Sequence, residues 1–398
     1  MNNGFEFKEE DWGHLASRYK EARPRKLLAL DGGGMRGVIT LRVLQRLETL
    51  LEMPLCDYFD YIAGTSTGAI IAACLAMGMK VEEIERFYLD FGRQVFKKRW
   101  LPRRWVASYS AEPLEARTRE LLCEIADTND NPDLRPQFLR CLFMAVTRNA
   151  STDSVWPISS NPAALFNDPR EADCNLRIPM WEILRASSAA PTFFPPHSIV
   201  LDHRNPRNAF AFVDGGTTPY NNPAFLLYRM ATMDKYHLRW PKGEDKLLLV
   251  SIGTGTSPAA EQPVARPGLG LIRNVEATIN ALMHQAAIDQ DTNCRMVGRC
   301  MNGHDLDYEI GDLILRDSAG RKIPATIDTG RDFLYLRYNT ILKKKRGLDE
   351  LGLDDIVISE VERLDAVSPK AIEQLQKIGN ALADKIDLAD FGAFAPSL

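Results

Sequence analysis

Hydrophobic residues come along this chain in short runs separated by polar or glycine-rich punctuation, and the spacing changes character from run to run. Lys26–Asp31 (KLLALD) is a brief apolar run ending in an acid, which predicts a buried strand. After the glycines of GGGMRG, Leu41, Leu44, Leu47 and Leu51 recur at helical spacing with Arg42, Arg46 and Glu48 between them, predicting a helix over about 38–51. A second strand is expected over about 58–63, turning through GTSTG into an apolar helix over 69–77. Short apolar runs at 141–146, 210–213 and 247–252 read as further buried strands. Strands alternating with helices predict an α/β fold, a mostly parallel central sheet with helices on both faces.

After Gly255 the texture changes. The loop TSPAAEQPVARPGLG leads into a long helical stretch over about 271–296, an aromatic strand at 333–338 and a terminal helix over about 369–385. The chain therefore divides into an N-terminal extension (1–25), a unit carrying the glycine motifs (26–259), and a mainly helical region (260–398) that either regulates that unit or completes it.

Composition narrows the classes. The 398 residues are 45% hydrophobic and 26% charged, which is globular. A net charge of -4 gives no whole-protein basic field for a nucleic acid polymer. The seven cysteines show no CxxC spacing, and Cys74, Cys123 and Cys141 sit in apolar runs, where buried free thiols are expected. The start, MNNGFEFKEEDW, is polar and acidic without a signal-like apolar stretch. The longest apolar run, Ala69–Met79, falls short of the roughly 20 residues that span a bilayer. The expectation is a cytoplasmic protein that meets lipid, if at all, from outside the bilayer.

Three segments carry chemistry. GTSTG (64–68) fits G-x-S-x-G, in which a serine on a tight strand-to-helix turn projects its hydroxyl outward, with the following helix N-terminus behind it. DGGGMRG (31–37) permits two readings. Gly32, Gly34 and Gly37 fit the dinucleotide fingerprint G-x-G-x-x-G, with Asp57 or Asp60 at about the distance of its ribose-binding acid, although both precede the end of their strand. Alternatively, the N–H groups around Gly32, Gly33 and Gly34 form a nest for an oxyanion. Arg36 then either braces the loop or meets a lipid phosphate. A serine also needs a base. The six histidines are His14, His197, His203, His237, His284 and His304, and none sits at a glycine-punctuated strand end, whereas Asp214 does, in FAFVDGG.

DGGGMRG, GTSTG about thirty residues on, and DGG far downstream together resemble the patatin-like phospholipase family, as does the small-residue block RASSAAPTFFPPH (185–197) between them. The resemblance covers roughly 26–255. It implies a modified α/β-hydrolase fold and a Ser–Asp dyad: Ser66 attacks an ester carbonyl, Asp214 takes its proton, and Gly32–Gly34 hold the oxyanion. It implies neither metal nor other cofactor. The layout also resembles bacterial anti-phage effector phospholipases switched on by a cyclic oligonucleotide, which implies a cyclic nucleotide activator and action at the inner face of the membrane. KKRWLPRRWV (97–106) packs five basic side chains around Trp100 and Trp105, a composition suited to docking on a phospholipid surface. Two rival functions remain at this stage: a Ser-His-Asp esterase or thioesterase on soluble acyl esters, and a non-catalytic nucleotide-binding module using the Gly32–Gly37 loop.

Overall fold

Nine strands form one sheet in a computed structural model that describes residues 7–96, 107–202, 204–205, 207–257 and 271–396, with side chains of the last segment described from 281 onward. They are β1 (Arg25–Leu30), β2 (Tyr61–Thr65), β3 (Leu142–Asn149), β4 (Ser154–Ser159), β5 (His197–Val200), β6 (Ala209–Asp214), β7 (Leu247–Ile252), β8 (Arg299–Asn302) and β9 (Leu334–Tyr338). The order is β5-β6-β3-β2-β1-β7-β9-β8, with β4 also paired to β3. From β3 to β8 every neighbour is parallel, while β4, β5 and β6 join antiparallel.

The helices used below are α1 (Gly37–Leu51), α2 (Thr67–Ala76), α3 (Val81–Val95), α4 (Glu112–Ile125), α5 (Met180–Ser187), α6 (Ala224–Thr232), α7 (Leu271–Val297) and α8 (Pro369–Ala383). They cover both faces of the sheet, and alternate residues of one strand enter opposite cores. Leu28 and Leu30 of β1 pack with Leu44, Ile71 and Leu375, whereas Leu27 and Ala29 pack with Leu227, Tyr228 and Trp240. A strand buried on both faces has no polar side to show, so KLLAL reads as a continuous apolar run.

β2 begins later than its apolar run because 55–58 forms one helical turn and Asp60 is drawn into an ion cluster. The Asp60 carboxylate accepts from the Lys26 N–H (2.9 Å) and from Arg18 and Arg23. The expected break near residue 260 is not a break in the sheet. β7 and β9 are parallel neighbours in register from Leu248↔Leu334 to Ile252↔Tyr338, and α8 packs on α1, where Arg42 Nε donates to Asn380 Oδ1 at 2.8 Å. All seven cysteines are free, and Cys123, expected to be buried, is half-exposed on α4. Among the described residues no helix is long and apolar enough to cross a membrane.

Candidate active site

Ser66 stands at the turn from β2 into α2 with φ 53° and ψ -122°, a conformation that strains any residue with a side chain. The turn closes only because its flanks are small. A Cβ on Gly64 would sit 2.1 Å from the Gly68 carbonyl oxygen. The Ser66 N–H donates to Ser187 Oγ at 2.9 Å, and Ser187 Oγ donates onward to the Val146 carbonyl at 2.7 Å. The small-residue block that ends α5 is thus the strut that holds the strained turn. Its composition was legible in the sequence, but its contact with Ser66 was not.

β3 brings Asp214 to the serine. Its residue Val146 is in register with Thr65 of β2, and the next residue, Thr147, is in register with Asp214 of β6. Ser66 Oγ donates to Asp214 Oδ2 at 2.7 Å, and Asp214 Oδ1 accepts the Gly216 N–H at 2.6 Å. The carboxyl is only 4% exposed. Burial pushes it up to about 6, against the opposing pull of the Ser66 hydroxyl and the Gly216 N–H.

The glycine loop closes the site from the β1 side. Thr254 Oγ1 donates to the Gly32 carbonyl at 3.0 Å, the Gly32 N–H donates to Asn221 O at 3.1 Å, and the Met35 N–H donates to Leu364 O at 2.8 Å. Among the described residues no acceptor takes up the N–H groups of Gly33 and Gly34, and both residues line the same pocket as Ser66. Since the Gly32 N–H is engaged, the donors available to an anionic oxygen narrow to the other two. Gly34 has φ +54°, and a Cβ there would lie 2.3 Å from Leu364 O. The acid that ends the KLLALD run, Asp31, forms a buried bidentate pair with Arg337 at 2.9 and 2.6 Å, tying the loop to β9.

The pocket is a slot of about 80 Å³ that runs from Ser66 and Asp214 between α3 and α4. Tyr88, Phe91, Val95, Leu114, Phe193 and Phe194 give it apolar walls. Arg36 does not line it. Its guanidinium lies instead within charge range of Asp31 and Glu362, and burial lowers it to about 10. No histidine lines the slot among the described residues. His14 is exposed, His197 faces Glu182 at 3.7 Å, His237 bonds Ala163 O at 2.7 Å, and His284 and His304 line a separate cavity. Asp57 and Asp60, the two candidate ribose-binding acids of the dinucleotide reading, are occupied by arginines just before β2, at the end of the strand remote from the glycine loop. His203, Trp100 and Trp105 lie outside the described residues.

A hydroxyl bonded to a buried carboxylate, two unoccupied N–H donors and an apolar slot can together run acyl transfer. Comparison with known proteins agrees with that chemistry. The family model described as "Patatin-like phospholipase" matches residues 28–228. Patatin-like protein 1 of Arabidopsis thaliana is 26% identical over 389 residues, 89% of this chain and 80% of its own length. The cGAMP-activated phospholipase of Pseudomonas aeruginosa is 31% identical over 233 residues, 58% of this chain and 62% of its own. Calcium-independent phospholipase A2-gamma of Homo sapiens is 29% identical over 252 residues, 59% of this chain but 29% of its own.

Proposed function

The chain belongs to the patatin-like phospholipase family, and from that premise we propose that it hydrolyses the ester-linked acyl chains of membrane phospholipids through an acyl-Ser66 intermediate. The observation that carries this reading is the 2.7 Å hydrogen bond from Ser66 Oγ to Asp214 at the mouth of an apolar slot.

The acyl chain enters between α3 and α4 and places its carbonyl over Ser66. Asp214 takes the hydroxyl proton as Oγ attacks, and the carbonyl oxygen, now an anion, accepts from the Gly33 and Gly34 N–H groups. Such donors contribute about 3 kcal/mol each. As the tetrahedral intermediate collapses, the proton on Asp214 passes to the departing lysolipid oxygen. A water then gives its proton to the same carboxylate while attacking the acyl ester, and as the Oγ–acyl bond breaks Asp214 returns that proton to Ser66 Oγ and the fatty acid leaves. One carboxylate serves as base and acid in turn, which suits a group whose pKa of about 6 lies close to neutrality.

The enzyme works peripherally at the inner face of the membrane, docked through Trp100 and Trp105. A cyclic nucleotide activates it, a reading supported by its similarity to the cGAMP-activated phospholipases of Pseudomonas aeruginosa and Escherichia coli. The test is release of fatty acid from fluorescent phospholipid vesicles by wild type, Ser66→Ala and Asp214→Asn, each with and without a panel of cyclic di- and trinucleotides. Activity lost in both variants supports the dyad, and activity that needs one nucleotide supports the switch. Full activity in Ser66→Ala would falsify the mechanism.

A further inference from the structure

Behind the catalytic slot, on the other side of α7, lies a second cavity of about 240 Å³. A water needs roughly 10–15 Å³, so this space suits an organic ligand better than a lone ion. Ala287, Ile288, Leu306 and Ile341 make part of its lining apolar. Beside them it is lined by His284 and Asp291 from α7, Arg337 from β9, and His304, Lys343 and Arg346 from the loops beyond β8 and β9.

The carboxylates that reach this cavity are already engaged. Asp291 is held by Arg295 at 2.9 and 2.7 Å, and Asp307 accepts the N–H groups of Glu309 and Ile310 at 2.8 Å each. Other polar atoms here are less occupied. Arg346 Nη2, His284 Nδ1 and His304 Nδ1 are buried, and none has a hydrogen-bond partner among the described residues. Burial, helped by the positive charges of Lys343 and Arg36, lowers the pKa of His284. Burial, helped by Arg295, Arg337 and Arg346 against the opposing pull of Asp291, lowers that of His304 to about 4, so its imidazole is neutral near pH 7. An unpartnered Arg346 nitrogen beside Lys343 and two imidazoles, around a partly open space, suits an anion with acceptor oxygens. Beside them, the Arg346 guanidinium lies 4.1 Å from the ring centre of Tyr308, which is 87% exposed. An aromatic ring paired with a guanidinium is a surface on which nucleobases stack.

We propose that this cavity binds the phosphate of a nucleotide, with the base against Tyr308 and Arg346, and that it is where a cyclic nucleotide activator acts. The second half rests on the activation reading above, while the binding half does not. Three short links join the cavity to the catalytic groups. On α7, His284 faces the cavity while its neighbour Met283 lines the slot, with its methyl group 3.0 Å from a Cβ built on Gly216, whose N–H holds Asp214. Arg337 grips Asp31, the residue before the glycine loop. Thr256 lines the cavity two residues after Thr254, which holds the Gly32 carbonyl. A ligand that prefers one arrangement of α7 and the β9 loop therefore acts on the base and the oxyanion loop together.

Calorimetric titration of the full chain with cyclic GMP–AMP, the other members of the cyclic nucleotide panel, and inorganic phosphate tests this. Saturable nucleotide binding is expected, at least tenfold tighter than phosphate, preserved in Ser66→Ala and weakened at least tenfold in Arg346→Glu and severalfold in Tyr308→Ala. Thermal unfolding of each variant without ligand checks that it is folded, and the exposed Tyr308 keeps the test decisive if Arg346→Glu is not. No binding by any panel member, affinity no tighter than that of phosphate, or full affinity in folded variants overturns the site. Vesicle hydrolysis separates the two claims. A nucleotide that binds without raising turnover ends the switch and leaves the site. Activation that persists in the charge-reversed variant ends the site and leaves the switch.

Discussion

The catalytic slot and the polar cavity stand back to back on α7, one residue apart, and differ in almost every physical respect. The slot is narrow and walled by Tyr88, Phe91, Leu114 and Phe194, with the Asp214 carboxylate bonded to the Ser66 hydroxyl. The cavity is three times larger, about 240 against 80 Å³, and mixes Arg337, Lys343, Arg346 and two imidazoles with Asp291, Asp307 and apolar side chains. Yet both leave hydrogen-bond donors unfilled. In the slot these are the N–H groups of Gly33 and Gly34, fixed dipoles suited to a charge that exists only during the reaction. In the cavity they are side chains such as Arg346, suited to a charge the ligand always carries. What a site leaves unpaired tells what it is built to receive.

The contrast breaks most completely at the dyad. Ser66→Ala and Asp214→Asn are expected to lower kcat on the order of 10⁴-fold while leaving nucleotide titrations unchanged, as initial rates and calorimetry on the same preparations would show. Gly34→Ala comes next. Its Cβ meets Leu364 O at 2.3 Å in a backbone at φ +54°, so the loop must move. A loss of about 10²–10³ in kcat is expected, with the cavity's affinity little altered.

The pH profile sharpens the difference between the two sites. Asp214 must be ionised to act as base, so kcat/KM should fall tenfold per pH unit below about 6. Folding raises this carboxyl from 3.8 to about 6, so the folded state holds the proton more tightly than the unfolded chain. Its contribution to stability is fully present below 3.8 and is lost as pH rises through about 6, a cost at neutral pH of order 3 kcal/mol. Asp214→Asn should therefore be more stable than wild type at pH 8 and lose that advantage near pH 4, a crossover that urea titrations at the two pH values would detect. Ser187→Ala, which removes the strut between the Ser66 N–H and Val146 O, should cost about 1–3 kcal/mol in the same assay. The smallest effect is expected at Met283→Ala. It leaves nucleotide affinity within about threefold and lowers the fold-activation of vesicle hydrolysis, because it removes the side chain through which α7 meets Gly216. Equal loss of binding and activation would place Met283 in the cavity's own scaffold.

Much of the slot was legible because its chemistry sits in contiguous motifs. A strained serine turn needs GTSTG, and an oxyanion loop needs consecutive glycines, so local backbone demands appear as local sequence. The strands β1 and β7 were legible for a similar reason, since burial on both faces leaves an unbroken apolar run. The strands β4, β5 and β8 were not. β4 contains Pro157 and is only partly buried, and β5 and β8 are four residues each. The role of Arg36 also escaped the sequence: DGGGMRG allows a loop brace, a phosphate contact or a plain surface salt bridge, and only the folded chain sets it beside Asp31 and Glu362, away from the slot.

By itself, then, the sequence determined the α/β class, the family and the candidate pair Ser66 and Asp214, because turns, caps and buried strands are short-range requirements written in adjacent residues. Only the tertiary structure decided which Gly32–Gly34 N–H groups stay unoccupied, that Ser187 braces the nucleophile, and that residues 260–398 add strands to the same sheet. It also decided that His284, His304, Lys343 and Arg346 face one space. Those outcomes depend on β9 pairing beside β7 and on α7 crossing behind the slot, and contacts between residues so far apart in the chain leave no pattern in either segment alone.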